Sequence, residues 1–66
     1  MKNIIKETRL KQSISQGDLA KLCGVSRQTI HSIETSKYQP TIRLALKLSK
    51  HLSSEVNKLF ILEKGD

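Results

Sequence analysis

QGDLAKLCGVSRQTIHSIET, from Gln16 to Thr35, is the stretch on which the reading of the whole chain turns. Its first half places Leu19, Ala20 and Cys23 at helical spacing and then meets Gly24. Glycine takes positive φ without strain, so the spacing predicts a helix over about Gln16 to Cys23 that stops there. Just upstream, Ser15 is placed as an N-cap with Asp18 three residues on, a capping box that uses a shorter acid in place of Glu. Ile14 and Leu19 flank that cap as a hydrophobic staple. The same device recurs at once: Ser26 caps, Val25 and Ile30 staple, and a helix is expected over about Arg27 to Ser36.

Two helices joined by a short turn containing glycine form the helix-turn-helix arrangement. Ala20 is the small residue that a steep crossing needs, on the side where Ile30 would come down. An ordinary helical hairpin in a small bundle accounts for the glycine equally well. It does not account for the polarity of the second helix. At about 100° per residue, Arg27, Gln28, His31, Ser32 and Thr35 fall in one arc, with Ile30 and Ile33 opposite. A merely solvated face is usually filled with Glu, Lys and Ala, whereas Gln, Thr, His and Ser on balance favour helix less. Arg27 also stands at the helix N-terminus, where a cation opposes the macrodipole. These groups suit base edges: Arg grips guanine O6 and N7 with two bonds, and Gln does the same for adenine N6 and N7.

Outward from this core, the pattern gives a first helix over about Asn3 to Gln12, with Ile4, Ile5 and Thr8 toward one face and Arg9 beside them. After Ser36, Gln39 precedes Pro40 and is driven out of helix geometry. Thr41 then caps a fourth helix, about Ile42 to His51, with Leu44, Ala45, Leu48 and Leu52 at core spacing. A short fifth helix is expected over about Glu55 to Phe60. No alternating strand pattern precedes the C-terminus. Glu34 lies near the buried side beside Ile30 and needs a partner. Arg9 is the candidate for a bidentate, partly buried pair with it; two unrelated surface charges remain the alternative.

At 66 residues the chain is sized for one small domain, residues 1–66. A single cysteine, Cys23, rules out an intramolecular disulfide and makes a reducing compartment the default. MKNIIKETRL is too charged for a signal peptide, and a soluble, cytoplasmic protein is the expectation. Twelve Lys and Arg against six Asp and Glu give a net charge of +6, which fits nucleic acid, an anionic membrane, an acidic partner or simply a lysine-rich surface. A membrane-surface role lacks a basic amphipathic helix with aromatic anchors. His31 and His51 lie on different helices with no second cysteine or acidic cluster, so no metal site, cofactor or small-molecule ligand is expected. No catalytic constellation survives, and the chain is not read as an enzyme. Cys23 reads as core filling.

From about Ile4 to Phe60 the sequence resembles the Cro and phage-repressor family of helix-turn-helix regulators. The resemblance is carried by Gln16 at the motif start, Ala20 in the crossing, Gly24 in the turn, Ile30 and Ile33 beneath the polar helix, and SKYQPT with the cap at Thr41. Arg9 and Glu34 match that family's ion pair. The resemblance implies an all-α, five-helix, lambda-repressor-like domain that binds a palindromic double-stranded DNA operator as a homodimer, most simply as a repressor. By position, Arg27, Gln28, His31 and Ser32 would meet bases. Gln16, Ser26, Thr29, Lys37 and Tyr38 would meet phosphates, and free N–H groups at helix starts agree for Gln16 and Ser26. The chain departs from the pattern at Gly17, at Thr8, at Thr35-Ser36 in place of Asn-Gly, and at Ser53, Ser54 and Glu55 before helix five. Small proteins of this shape also serve as antitoxins, a role that needs an exposed apolar surface or an extra arm.

Phe60, Ile61 and Leu62 form an apolar run followed at once by EKGD. A domain this small has little surface to cover it. The expectation is a two-fold contact in which Leu59, Phe60, Ile61 and Leu62 of two chains cover each other, with a short antiparallel strand pair at that interface. Folding back of Phe60 and Leu62 onto helix one is the alternative.

Overall fold

The computed structural model describes residues 1–66. In chain order it holds β1 (Lys2–Asn3), α1 (Ile5–Lys11), α2 (Gln16–Cys23), α3 (Arg27–Glu34), α4 (Ile42–Leu52), α5 (Val56–Leu59) and β2 (Phe60–Ile61). α2 and α3 form the helix-turn-helix pair, and α4 backs α2.

Helix starts follow the side-chain caps. Ser15 Oγ accepts from the Asp18 amide at 3.0 Å, Ser26 Oγ from Thr29 at 3.1 Å, and Thr41 Oγ1 from Leu44 at 3.2 Å. Asp18 makes no return bond to Ser15, so only half of the capping box is formed. At α1 the oxygen comes from Asn3, whose Oδ1 accepts from the Ile5 amide at 3.2 Å.

The helix ends share one device. At α2, Gly24 stands at φ 71°, its amide donates to Lys21 O at 3.2 Å, and Val25 N donates to Ala20 O at 3.0 Å, a Schellman ending. α1, α3 and α4 end in the same way, but on Ser13, Ser36 and Ser53, with φ of 57°, 60° and 50°. Serine there bears the left-handed strain that glycine avoids. α3 accordingly closes at Glu34, two residues short of the expected Ser36, because Ser36 has already left helical geometry.

A core of twelve residues joins the elements: Ile5, Leu19, Ala20, Cys23, Ile30, Ile33, Leu44, Ala45, Leu48, Leu52, Leu59 and Phe60. The small side chain of Ala20 is buried among them. Gln12 Nε2 donates to Leu52 O and ties the end of α1 to that of α4.

Both chain ends differ from the sequence reading. α1 starts at Ile5, because Asn3 belongs to β1 and the Ile4 amide donates to Leu59 O at 2.9 Å. Ile4 is exposed as a result. β1 runs antiparallel to β2 with Lys2 opposite Ile61 and Asn3 opposite Phe60. The expected C-terminal strand therefore exists, but it pairs within its own chain. Leu59 and Phe60, expected at a contact between two chains, are buried in the core of this one. The physical reason is alternation: in β2, Phe60 points inward and Ile61 outward, so the apolar run is split between core and surface. Ile61 and Leu62 stay 44% and 75% exposed. The fifth helix shrinks to Val56–Leu59, and Glu55 at its N-cap makes no side-chain cap bond.

Candidate nucleic-acid interface

α3 buries Ile30 and Ile33 and turns a polar face to solvent. Arg27, Gln28 and His31 are exposed on it and Ser32 is half-buried. Gln28 Nε2 reaches Ser32 Oγ at 3.5 Å, so these two side chains lie along one line of the helix. Thr35 belongs to the same arc by phase, yet its hydroxyl turns back to the His31 carbonyl at 3.0 Å. It closes the helix and does not project.

Beneath this face lies the ion pair. Arg9 Nε donates to Glu34 Oε2 at 2.8 Å and Nη2 to Oε1 at 3.2 Å, while Nη1 donates to Ile14 O at 3.0 Å. Arg9 thus bridges α1, the loop before α2 and the end of α3. The side chains are only 8% and 2% exposed, which makes the pair a buried one. Glu34 Oε1 also accepts from Gln16 Nε2 at 3.0 Å, so the carboxylate takes three bonds from the protein.

Gln16 carries this network to the surface. Its Oε1 accepts from Arg27 Nε at 3.4 Å, and its Nε2 lies 3.4 Å from His31 Nδ1. Arg9, Ser15, Gln16, Gly17 and Arg27 line one shallow depression with no apolar residue, and Gln16, Arg27, Gln28 and His31 line the next. The amides of Gln16 and Gly17, in the first turn of α2, have no intrahelical carbonyl to reach and open beside the first depression. With Arg9 neutralised by Glu34, one exposed cation, Arg27, and a helix start converge where an anion would sit.

Further along, Ser26 Oγ lies 2.9 Å from Thr29 Oγ1 at the start of α3, and Lys37 and Tyr38 are exposed just after its end. A third depression brings Gly24, Val25, Thr29, Tyr38, Thr41, Arg43 and Lys47 together. Arg43 and Lys47 are cations that the sequence reading did not single out. Their signal was the phase of α4, which places them off the Leu44, Ala45 and Leu48 face. Asn3 was also missed: besides capping α1, its Nδ2 donates to Ile33 O at 2.8 Å and anchors the last turn of the polar helix.

No group of three or more His, Cys, Asp and Glu side chains could hold a metal ion, and no helix is long and apolar enough to cross a membrane. Cys23 is buried, and burial pushes its thiol above the ordinary 9.0 against a smaller opposing pull from Lys47.

The sequence pattern of the helix-turn-helix family matches residues 5–59. The chain belongs to that family. Its members among the relatives include an HTH-type transcriptional regulator of Methanocaldococcus jannaschii, 46% identical over the whole of both chains. Among solved structures, the P22 c2 repressor in complex with a synthetic operator superposes with a TM-score of 0.82 at 37% identity, covering 94% of this chain and 89% of the repressor. The N-terminal DNA-binding domain of SinR from Bacillus subtilis gives 0.77 at 32% identity, covering 94% and 90%. The fold is thus that of the repressor-type helix-turn-helix domains. The family is one of DNA-binding transcriptional regulators, which is not an enzyme class.

Proposed function

We propose that this protein represses transcription by binding an inverted-repeat operator as a homodimer, with α3 in the major groove. The observation that carries the reading is the convergence of Arg27, Gln28 and His31 with the start of α2 on one exposed polar surface. Arg27 and Gln28 project from the first turn of α3, the part that reaches base edges when such a helix enters the groove. Arg27 takes guanine, Gln28 takes adenine, and His31 and Ser32 read one turn further on. Phosphates are held on either side, by the start of α2 at Gln16 and by Ser26, Thr29, Lys37 and Tyr38, joined by Arg43 and Lys47. The net charge of +6 supplies the attraction that precedes readout. The P22 c2 repressor, in its complex with a synthetic operator, is the similar structure that points to an operator as the ligand.

The dimer rests on the apolar side chains left outside the core at the C-terminus, Ile61 and Leu62. A two-fold contact there covers both and sets two copies of α3 about 34 Å apart, one turn of DNA.

Fluorescence anisotropy on operator variants tests the assignment of α3. Arg27→Ala and Gln28→Ala each cost about 1–3 kcal/mol at one base position and relax preference there. Lys37→Ala weakens all sequences alike and lowers the salt slope by about 1. An Arg27→Ala variant with unchanged base preference would show the reading face to be wrongly assigned.

A further inference from the structure

Gln16 makes more of the site than a helix-start residue requires. It stands at the first position of α2, on a different element from the base-reading residues, yet its amide touches three of the charged or titratable side chains around it. Nε2 carries two hydrogens: one goes to Glu34 Oε1 at 3.0 Å and the other points to His31 Nδ1 at 3.4 Å. Oε1 accepts from Arg27 Nε at 3.4 Å.

The orientation of that amide follows from its partners. Reversed, it would set its NH₂ against the Arg27 N–H and its oxygen against the Glu34 carboxylate, two repulsive contacts in place of two attractive ones. Glu34 is itself fixed by the two bonds from Arg9. With both hydrogens of Gln16 on Nε2, His31 Nδ1 can only accept, and a neutral imidazole that accepts at Nδ1 carries its proton on Nε2. The far nitrogen of His31 is therefore a donor.

We propose that Gln16 is a specificity-determining positioning residue: it holds His31 with its Nε2–H turned outward, so that the base met by His31 must present an acceptor. This rests on α3 being the reading helix. In the major groove the acceptors are guanine O6 and N7, adenine N7 and thymine O4, whereas cytosine offers only its amino group. His31 thus rejects a cytosine at its own contact. Because the Gln16 side-chain donors are committed within the protein, the phosphate at the start of α2 is held by the backbone amides of Gln16 and Gly17. The chain of contacts runs from Arg9 in α1, through Glu34 and Gln16, to Arg27 and His31, which ties the reading groups to a buried anchor.

Two measurements test this, on Gln16→Met, which keeps the volume, and on Gln16→Ala, each first verified as folded by thermal melt. The first is ¹⁵N NMR of the His31 ring in the free protein at pH 8, above the ordinary histidine range. Wild type is expected almost wholly as the Nε2–H tautomer, and both variants gain the Nδ1–H form. Unchanged ring nitrogens in both variants overturn the proposal, whatever the protein does to DNA. The second is affinity for a panel of duplexes varied at each base pair of the bound site. Both variants lose at least five-fold discrimination against cytosine at the position read by His31, with the salt slope nearly unchanged. Uniform weakening with discrimination intact would make Gln16 a phosphate contact only and refute the positioning role. A wild type without base preference would instead refute the reading of α3, while the NMR result still decides the orientation of His31.

Discussion

Removing Glu34 should be the most damaging single change outside the apolar core. Glu34→Ala deletes both bonds from Arg9 and the one from Gln16. Arg9, with a side chain only 8% exposed, keeps just its bond to Ile14 O and is left charged and largely buried. Breaking such a pair from one side costs about 3–5 kcal/mol. A chain of 66 residues has roughly 3–10 kcal/mol of stability in all, so the loss takes a large share of it. In melting temperature it corresponds to a fall of about 12 °C or more. The cost belongs mostly to the stranded guanidinium, not to the pair itself. Replacing both partners, as Arg9→Met with Glu34→Leu, should therefore recover part of the loss. Urea unfolding followed by helical circular dichroism of wild type, Arg9→Met, Glu34→Leu and the double variant gives the four corners of the cycle, if need be in a background stabilised at a helix end. The coupling expected is above about 1.5 kcal/mol; losses that add to within about 0.5 kcal/mol would refute direct coupling between the two side chains.

Helix endings make a paired prediction of opposite sign. Gly24→Ala has open space for its Cβ but must adopt φ 71°, so it should destabilise by about 1 kcal/mol, whereas Ser53→Gly at φ 50° should stabilise by a similar amount. Equal signs in urea midpoints would show that the left-handed backbone is not what matters there. Cys23 binds its proton more tightly when folded, since burial raises its pKa. Its contribution to stability is thus whole below the ordinary 9.0 and is lost as pH rises beyond it, a loss that Cys23→Ala should not show. For the dimer, Ile61→Asp with Leu62→Asp should leave a folded monomer in sedimentation at micromolar concentration, and a variant that stays dimeric would move the interface elsewhere.

The legible parts of the sequence were those where a local rule has one solution. Ser15, Ser26 and Thr41 are N-caps because nothing else near them can satisfy the first amides of α2, α3 and α4, and each accepts the bond so placed. Gly24 ended α2 for the same kind of reason. What escaped was non-local. Two-residue strands have no period to detect, and the pairing of Lys2 with Ile61 joins opposite ends of the chain. Without β1, the apolar run from Leu59 to Leu62 reads as one sticky surface; with it, Leu59 and Phe60 turn inward and Ile61 and Leu62 remain outside. The helix ends on Ser36 and Ser53 were unreadable because serine at positive φ carries no signal of its own. In the site, phase alone placed Arg27, Gln28 and His31 together. The contacts of Gln16 needed coordinates, because they depend on which way an amide faces between two helices.

The most direct test of the account is selection of duplexes by the wild-type protein from a random library, sequenced after several rounds. The expected product is an inverted repeat with half-site centres about ten base pairs apart and a guanine and an adenine in each half, lost or altered when Arg27→Ala and Gln28→Ala are selected in parallel. Recovery of sequences without any shared motif, bound no more tightly than random DNA, would contradict it.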